Sequence, residues 1–297
     1  MNRIIIGCVI AALPGLVSAG EKIKRTLEVG SAPEVHVINA RGDIDVRGEG
    51  SGEVRVDAKL VDAVERLDIK EKGDVIYIEV VYKKKKRNSG WNSGGTTLYV
   101  QVPTDTTLHA KGVSSDLDIQ NVRGRLYLTT VSGDIDTESW TDKLKVSTTS
   151  GDIDVVGNDV DGYNSLETVS GDIDMSGLRG ELRASTVSGG IDASDCMFNS
   201  VSVGNTSGDI DLSDSLSASA DVDAESVSGD ISMSMQSGWA GRVDVKTLNG
   251  SIDNCFGPKP QRVSRYGPGR TLNFEHGDGS GRIQIETLNG DIDICTD

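Results

Sequence analysis

The chain has 297 residues, 46 acidic against 30 basic, a net charge of −16 and only 4% aromatic side chains. That balance excludes a nucleic-acid binder and unassisted adhesion to an anionic lipid surface. So few aromatics suit a thin aliphatic core, and the regular aliphatic columns further along exclude disorder.

The amino-terminus reads as a secretory signal peptide over residues 1–20. Arg3 precedes an apolar run at 4–17, and Val17-Ser18-Ala19 supplies the small-residue cleavage pattern. The run is too short and wrongly flanked for a membrane span, and no later stretch approaches that length. Cys8 lies inside the run rather than after it, so lipidation is not expected. Without Arg3, 29 basic residues face 46 acidic ones, a net charge near −17 (29 − 46). The expected location is exported, in a periplasm or outside the cell.

Residues 21–105 read as a β-rich region that caps a solenoid, with strands at 35–38, 44–47, 54–60, 67–70, 75–81 and 97–102. A few helical residues are expected around 62–66. Within this region Lys83-Lys84-Lys85-Lys86-Arg87 precedes a Gly/Ser-rich stretch at 88–95. It reads either as an exposed hairpin tip whose like charges protect an edge strand, or as a contact for an anionic envelope polymer or acidic partner.

Residues 106–297 repeat one phrase. Thr130-Val131-Ser132-Gly133-Asp134-Ile135-Asp136 returns as Ser150-Gly151-Asp152-Ile153-Asp154 and Ser170-Gly171-Asp172-Ile173-Asp174, with an early echo at Gly42-Asp43-Ile44-Asp45. The central apolar residues are Leu117, Ile135, Ile153, Ile173, Ile191, Ile210, Ile231, Ile252 and Ile292, at spacings of 18, 18, 20, 18, 19, 21, 21 and 40. A period of 18–21 predicts stacked coils: an all-β, right-handed parallel β-solenoid of about nine coils. Stacked at about 4.8 Å, they make a rod on the order of 40 Å long. Pairs such as Leu126/Leu128, Leu144/Val146 and Val243/Val245 alternate as one strand with an apolar face. Two further columns complete the expected core: Val131, Val169, Val187, Val227, Leu248 and Leu288 upstream of the central residue, and Val155, Met175, Leu212, Met233 and Ile294 downstream. Glycine fits the corner because it reaches positive φ freely. The spacing of 40 marks one coil carrying an insertion at about 256–280, expected as a loop on one side of the rod.

A signal peptide, a strand-rich start, the segment Leu98-Tyr99-Val100-Gln101-Val102-Pro103 and serial Ser-Gly-Asp-Ile-Asp coils resemble a bacterial family of adhesin-type envelope proteins. It is known as domain of unknown function 4097 and is related to the toast-rack envelope domains. The resemblance spans roughly residues 34–295. It implies a β-strand-repeat architecture and a place in the cell envelope, in adhesion or envelope stress. It carries no catalytic residue onto this chain.

Enzyme signatures are sparse. His36, His109 and His276 stand far apart, and no two have metal-ligand spacing. Gly277-Asp278-Gly279-Ser280-Gly281 departs from a nucleophile elbow by one place. The aspartates flanking each central Ile are repeated elements rather than a unique acid/base pair, and they should form two outward ladders. Such ladders are relieved by solvent and hydrogen bonds or, alternatively, by calcium. These features imply a non-enzymatic exported binding or scaffolding module of the cell envelope, with an envelope polymer or protein as partner. The alternatives are a calcium-stabilised adhesin and a carbohydrate-active enzyme built on the 256–280 insertion. No catalytic, cofactor or metal residue is assigned. Cys255 and Cys295 each lie three residues after their central Ile. Adjacent coils would bring them within disulfide reach, leaving Cys196 reduced and buried.

Overall fold

Each coil is two short strands meeting at a Ser-Gly-Asp corner, and side-chain alternation decides which residues go inside. In the computed structural model, which describes residues 22–50, 52–84 and 94–296, the strands form two sheets. Among the described residues one sheet has 13 strands and carries the central column; the other has 14 and carries the paired aliphatic columns. The expected strands all appear, and an additional one, Lys22–Glu28, pairs antiparallel with Glu53–Lys59. Residues 1–20 lie outside the described residues.

The repeat sets the register. Leu117, Ile135, Ile153, Ile173, Ile191, Ile210 and Ile231 face one another rung by rung in parallel pairing. All nine residues of the predicted column are at most 3% exposed. Burying a Leu or Ile side chain contributes roughly 1.5–3 kcal/mol, so the column is a main source of stability. The corner requires glycine. At Gly151 φ is +154°, and a Cβ there would lie 2.0 Å from the carbonyl oxygen of Gly133 in the coil before.

Three expectations change. The column of Val131, Val169, Val187, Val227, Leu248 and Leu288 is not core: each of these side chains is 45–47% exposed. Alternation explains it. Leu126 and Leu128 point inward, so Thr130 does too, and Val131 must point out. Buried threonines occupy the inner corner instead; Thr130 Oγ1 donates to Ser115 O at 3.0 Å and Thr168 Oγ1 to Gly151 O at 3.2 Å. Around 62–66 there is no helix. Asp62 and Ala63 form a turn, and the strand Val64–Lys72 begins directly after it, with a bulge at its start. The insertion is not simply a loop either: Arg270–His276 forms a strand antiparallel to Gly241–Asn249.

Coil order departs from chain order at both ends. At the amino-terminal end Ile44 pairs directly with Leu117 on one side and with Leu98 on the other. The coil made by Glu34–Arg41 and Ile44–Gly48 therefore sits one place in, beneath the later coil of Val75–Tyr82 and Thr97–Val102. At the carboxyl-terminal end Ile292 pairs with both Ile231 and Ile252. The final coil, Gly281–Asn289 and Ile292–Thr296, slots between its two predecessors; Ile252–Asn254 of the coil before it is the edge of the 13-stranded sheet, and strands of the insertion close the 14-stranded one. No helix among the described residues is long and apolar enough to cross a membrane.

Candidate functional site

The outward aliphatic column begins at Val113, which is 51% exposed, and runs through Val131, Thr149, Val169, Val187, Thr206, Val227, Leu288 and Leu248. Seven of these nine rungs are Val or Leu with nearly half their surface in water, following one corner of the rod. At its carboxyl-terminal end the column meets the insertion. Val227, Leu248 and Leu288 line a groove of about 680 Å³ opposite Val263, Pro268 and Gly269. The wall is a seven-residue loop closed by Val263 N–H donating to Gly269 O at 2.9 Å. Arg270 Nε donates to Gly250 O at 3.2 Å and ties the loop to the corner. At the other end of the strand Arg270–His276, Phe256 lies among Trp239, Phe274 and His276, giving the insertion an aromatic root. Sequence reading assigned the column to the core; the Thr one place upstream of Val131, Val169, Val187, Leu248 and Leu288, two places on from an inward aliphatic residue, was the signal that it faces out.

The aspartate ladders behave differently from each other. At the corner each carboxylate accepts a backbone N–H from the next coil: Asp134 N–H to Asp116 Oδ1 at 3.1 Å, Asp152 N–H to Asp134 at 2.9 Å, and Asp172 N–H to Asp152 at 2.9 Å. The pattern continues to Asp291, where the N–H of Ser251 at 2.7 Å holds the carboxyl below its usual range. On the strand side, Asp45, Asp118, Asp136, Asp154, Asp174, Asp192 and Asp211 run unbroken in register. There, partial burial and then the neighbouring aspartates push the carboxyls of Asp136 and Asp174 above the usual range. Asp192 and Asp293 shift the same way for the same reasons.

Cys255 and Cys295 are joined by a disulfide with their Cα atoms 4.9 Å apart, at the base of the insertion. Cys196 is a free, buried thiol, and burial pushes it up to about 11. Of the basic cluster, Lys83 Nζ donates to Asp62 O at 2.6 Å, and Lys84 is exposed. Lys85, Lys86 and Arg87 lie outside the described residues.

Two histidines that are 73 positions apart (109 − 36) come together, against the reading from sequence spacing. His36 and His109 are register partners on adjacent parallel strands, with ring centroids 4.4 Å apart and planes 3° from parallel. Glu34 Oε1 lies 2.7 Å from His36 Nε2 and 3.5 Å from His109 Nε2. Burial, then the neighbouring His36, lowers the His109 pKa.

A parallel two-sheet β-solenoid with an outward aliphatic column and a groove at one end defines the class of protein. The chain belongs to the Toastrack family, DUF4097, which matches residues 34–254. Among solved structures it is similar to a "putative lipid binding protein" from Parabacteroides distasonis, at 15% identity and TM-score 0.52, covering 93% of this chain and 97% of that one. It also resembles a "putative adhesin" from Bacteroides fragilis, at 16% identity and TM-score 0.45, covering 92% and 97%. No curated protein matches the chain.

Proposed function

We propose that the protein is an exported, non-enzymatic binding module of the bacterial cell envelope, and that its ligand lies along the aliphatic column and enters the groove beneath the insertion. The observation that carries this reading is the column itself: seven Val and Leu side chains, each 45–51% exposed, the last three of which line the groove. Contiguous apolar surface of this kind marks interaction sites. A straight line of aliphatic groups repeating at about 4.8 Å suits an extended acyl chain better than a compact polar ligand. The name of the lipid-binding relative is in keeping with that occupant.

Export is supported by the apolar run at 4–17 and by the Cys255–Cys295 disulfide, since disulfides persist in oxidising compartments. A binding role rather than hydrolysis is supported by the carboxylates that border the groove. Glu225 and Glu286 stand side by side in register, with Lys246 Nζ 3.5 Å from Glu286, whereas a hydrolytic acid/base pair flanks its bond. The corner carboxylates already accept backbone N–H groups, which favours this reading over a calcium-stabilised adhesin.

Titration with a fluorescent polyene fatty acid tests the proposal. Saturable binding is expected for the wild type and for Tyr99→Ala, an exposed residue at the amino-terminal end, with loss in Leu288→Asp and Leu248→Asp variants whose melting is unchanged. Equal binding by the Asp variants, or no saturable binding at all, refutes it.

A further inference from the structure

The geometry points to a zinc-class transition-metal site made by Glu34, His36 and His109 on the outer face of the amino-terminal coils. The ligand atoms of these three side chains all lie within 4.8 Å of one another. Both histidine Nε2 atoms face one carboxylate oxygen, at 2.7 and 3.5 Å. Ligands at about 2.0–2.1 Å around a tetrahedral ion lie roughly 3.3 Å apart, and the two measured separations bracket that value. Two imidazole nitrogens and one carboxylate oxygen are a donor set for Zn²⁺, Cu²⁺ or Ni²⁺ rather than for Ca²⁺ or Mg²⁺.

The fold supplies what such a site needs. Parallel pairing places His36 beside His109, and alternation puts Glu34 on the same face two residues earlier. Tyr77 and Tyr127 stack on the outer faces of the two rings, at 4.8 and 4.5 Å between centroids, so the two imidazoles lie side by side within one aromatic stack. Stacked rings aim their lone pairs side by side, so ligation requires one ring to tilt toward the other. Both side chains have room for this: His36 is 22% and His109 25% exposed, and Glu34 is 43% exposed. The remaining position opens to solvent, where water completes a four-coordinate ion. Because Glu34 and His36 belong to the nested first coil and His109 to the next, a bound ion also clips these two coils together.

Isothermal titration of the full chain, without an affinity tag and stripped with a chelator, tests the site with Zn²⁺ and, in parallel, Ca²⁺. One equivalent of Zn²⁺ is expected, with His36→Ala and His109→Ala each weakening binding by at least about tenfold. His276→Ala should leave it unchanged. Zn²⁺ should raise the melting temperature of the wild type but not of His109→Ala, each compared with its own metal-free melt. Substituted Co²⁺ should give the intense visible bands of a tetrahedral imidazole site. Zn²⁺ binding that survives the His36→Ala/His109→Ala double variant would place the ion elsewhere and overturn the inference, as would the absence of any Zn²⁺ binding.

Discussion

Replacing Asp154 by asparagine removes one charge from the middle of seven aspartates in register, and the rod should become more stable. Asp136 and Asp174 flank it on adjacent strands. Unit charges about 5 Å apart repel by roughly 0.8 kcal/mol in water and about 3 kcal/mol at an effective dielectric of 20. All three residues are more exposed than covered, so the figure nearer water governs. With a Debye length of about 10 Å at 0.1 M salt, each pair retains about 0.5 kcal/mol, and the two pairs together about 1 kcal/mol.

Urea unfolding reads this without adding ionic strength. The gain should be largest at low salt and shrink toward zero in 1 M NaCl. It should also depend on pH. The carboxyls of Asp136 and Asp174 are raised in the folded state, so that state takes up protons before the unfolded chain does. Wild-type stability from these groups therefore rises as pH falls through their folded pKa values, and it is absent at neutral pH. The advantage of Asp154→Asn should narrow on acidification from pH 7 toward 4. Destabilisation at low salt, or a gain indifferent to both salt and pH, would refute the repulsive-ladder reasoning.

Gly151→Ala places a Cβ against the Gly133 carbonyl at a positive φ and should cost several kcal/mol, read as a lower urea midpoint or loss of soluble protein. Ile153→Asp puts a carboxylate at a site with no solvent exposure, and a melt within two degrees of wild type would show the register to be wrong. Val131→Ser, by contrast, should shift stability by no more than about 0.5 kcal/mol, since its side chain already faces water. Cys255→Ser opens a loop of 40 residues and should lower stability by roughly 4 kcal/mol on the chain-entropy estimate, with urea unfolding of the carboxyl-terminal coils as the readout.

What the sequence made legible is whatever repeats locally. A period of 18–21 with an Ile at its centre is enough to predict parallel coils, the buried column and the glycine corners, because each is dictated by residues a few positions apart. The outward aliphatic column was misassigned because the phrase Thr-Val-Ser hides its parity: Val looks like core until Leu126 and Leu128 are counted forward to Thr130. Coil order at the two ends was not legible, since Gly241–Asn249 and Gly281–Asn289 carry the same grammar and either fits either slot. The histidine pair stayed hidden for a related reason. Its members become neighbours only once the coil of Ile44 is known to stack on that of Leu117.

The nested coils at the two ends determine how the rod answers a mechanical load. A β-strand pulled from the edge of a sheet unzips one hydrogen bond at a time, whereas one held between two neighbours must shear both ladders together. Tension applied at the carboxyl end reaches Ile292–Thr296, which is gripped on one side by Ile231–Met235 and on the other by Ile252–Asn254. Tension applied at the amino end strips Lys22–Glu28 from its single partner and then meets Glu34–Arg41, which lies between Val75–Tyr82 and Thr107–Ser114. The disulfide fastens Cys295, within Ile292–Thr296, to Cys255, directly after Ile252–Asn254, so these two strands must leave together. A rod assembled in simple chain order would present its last strand to the pull as a zipper; this one presents it as a bolt.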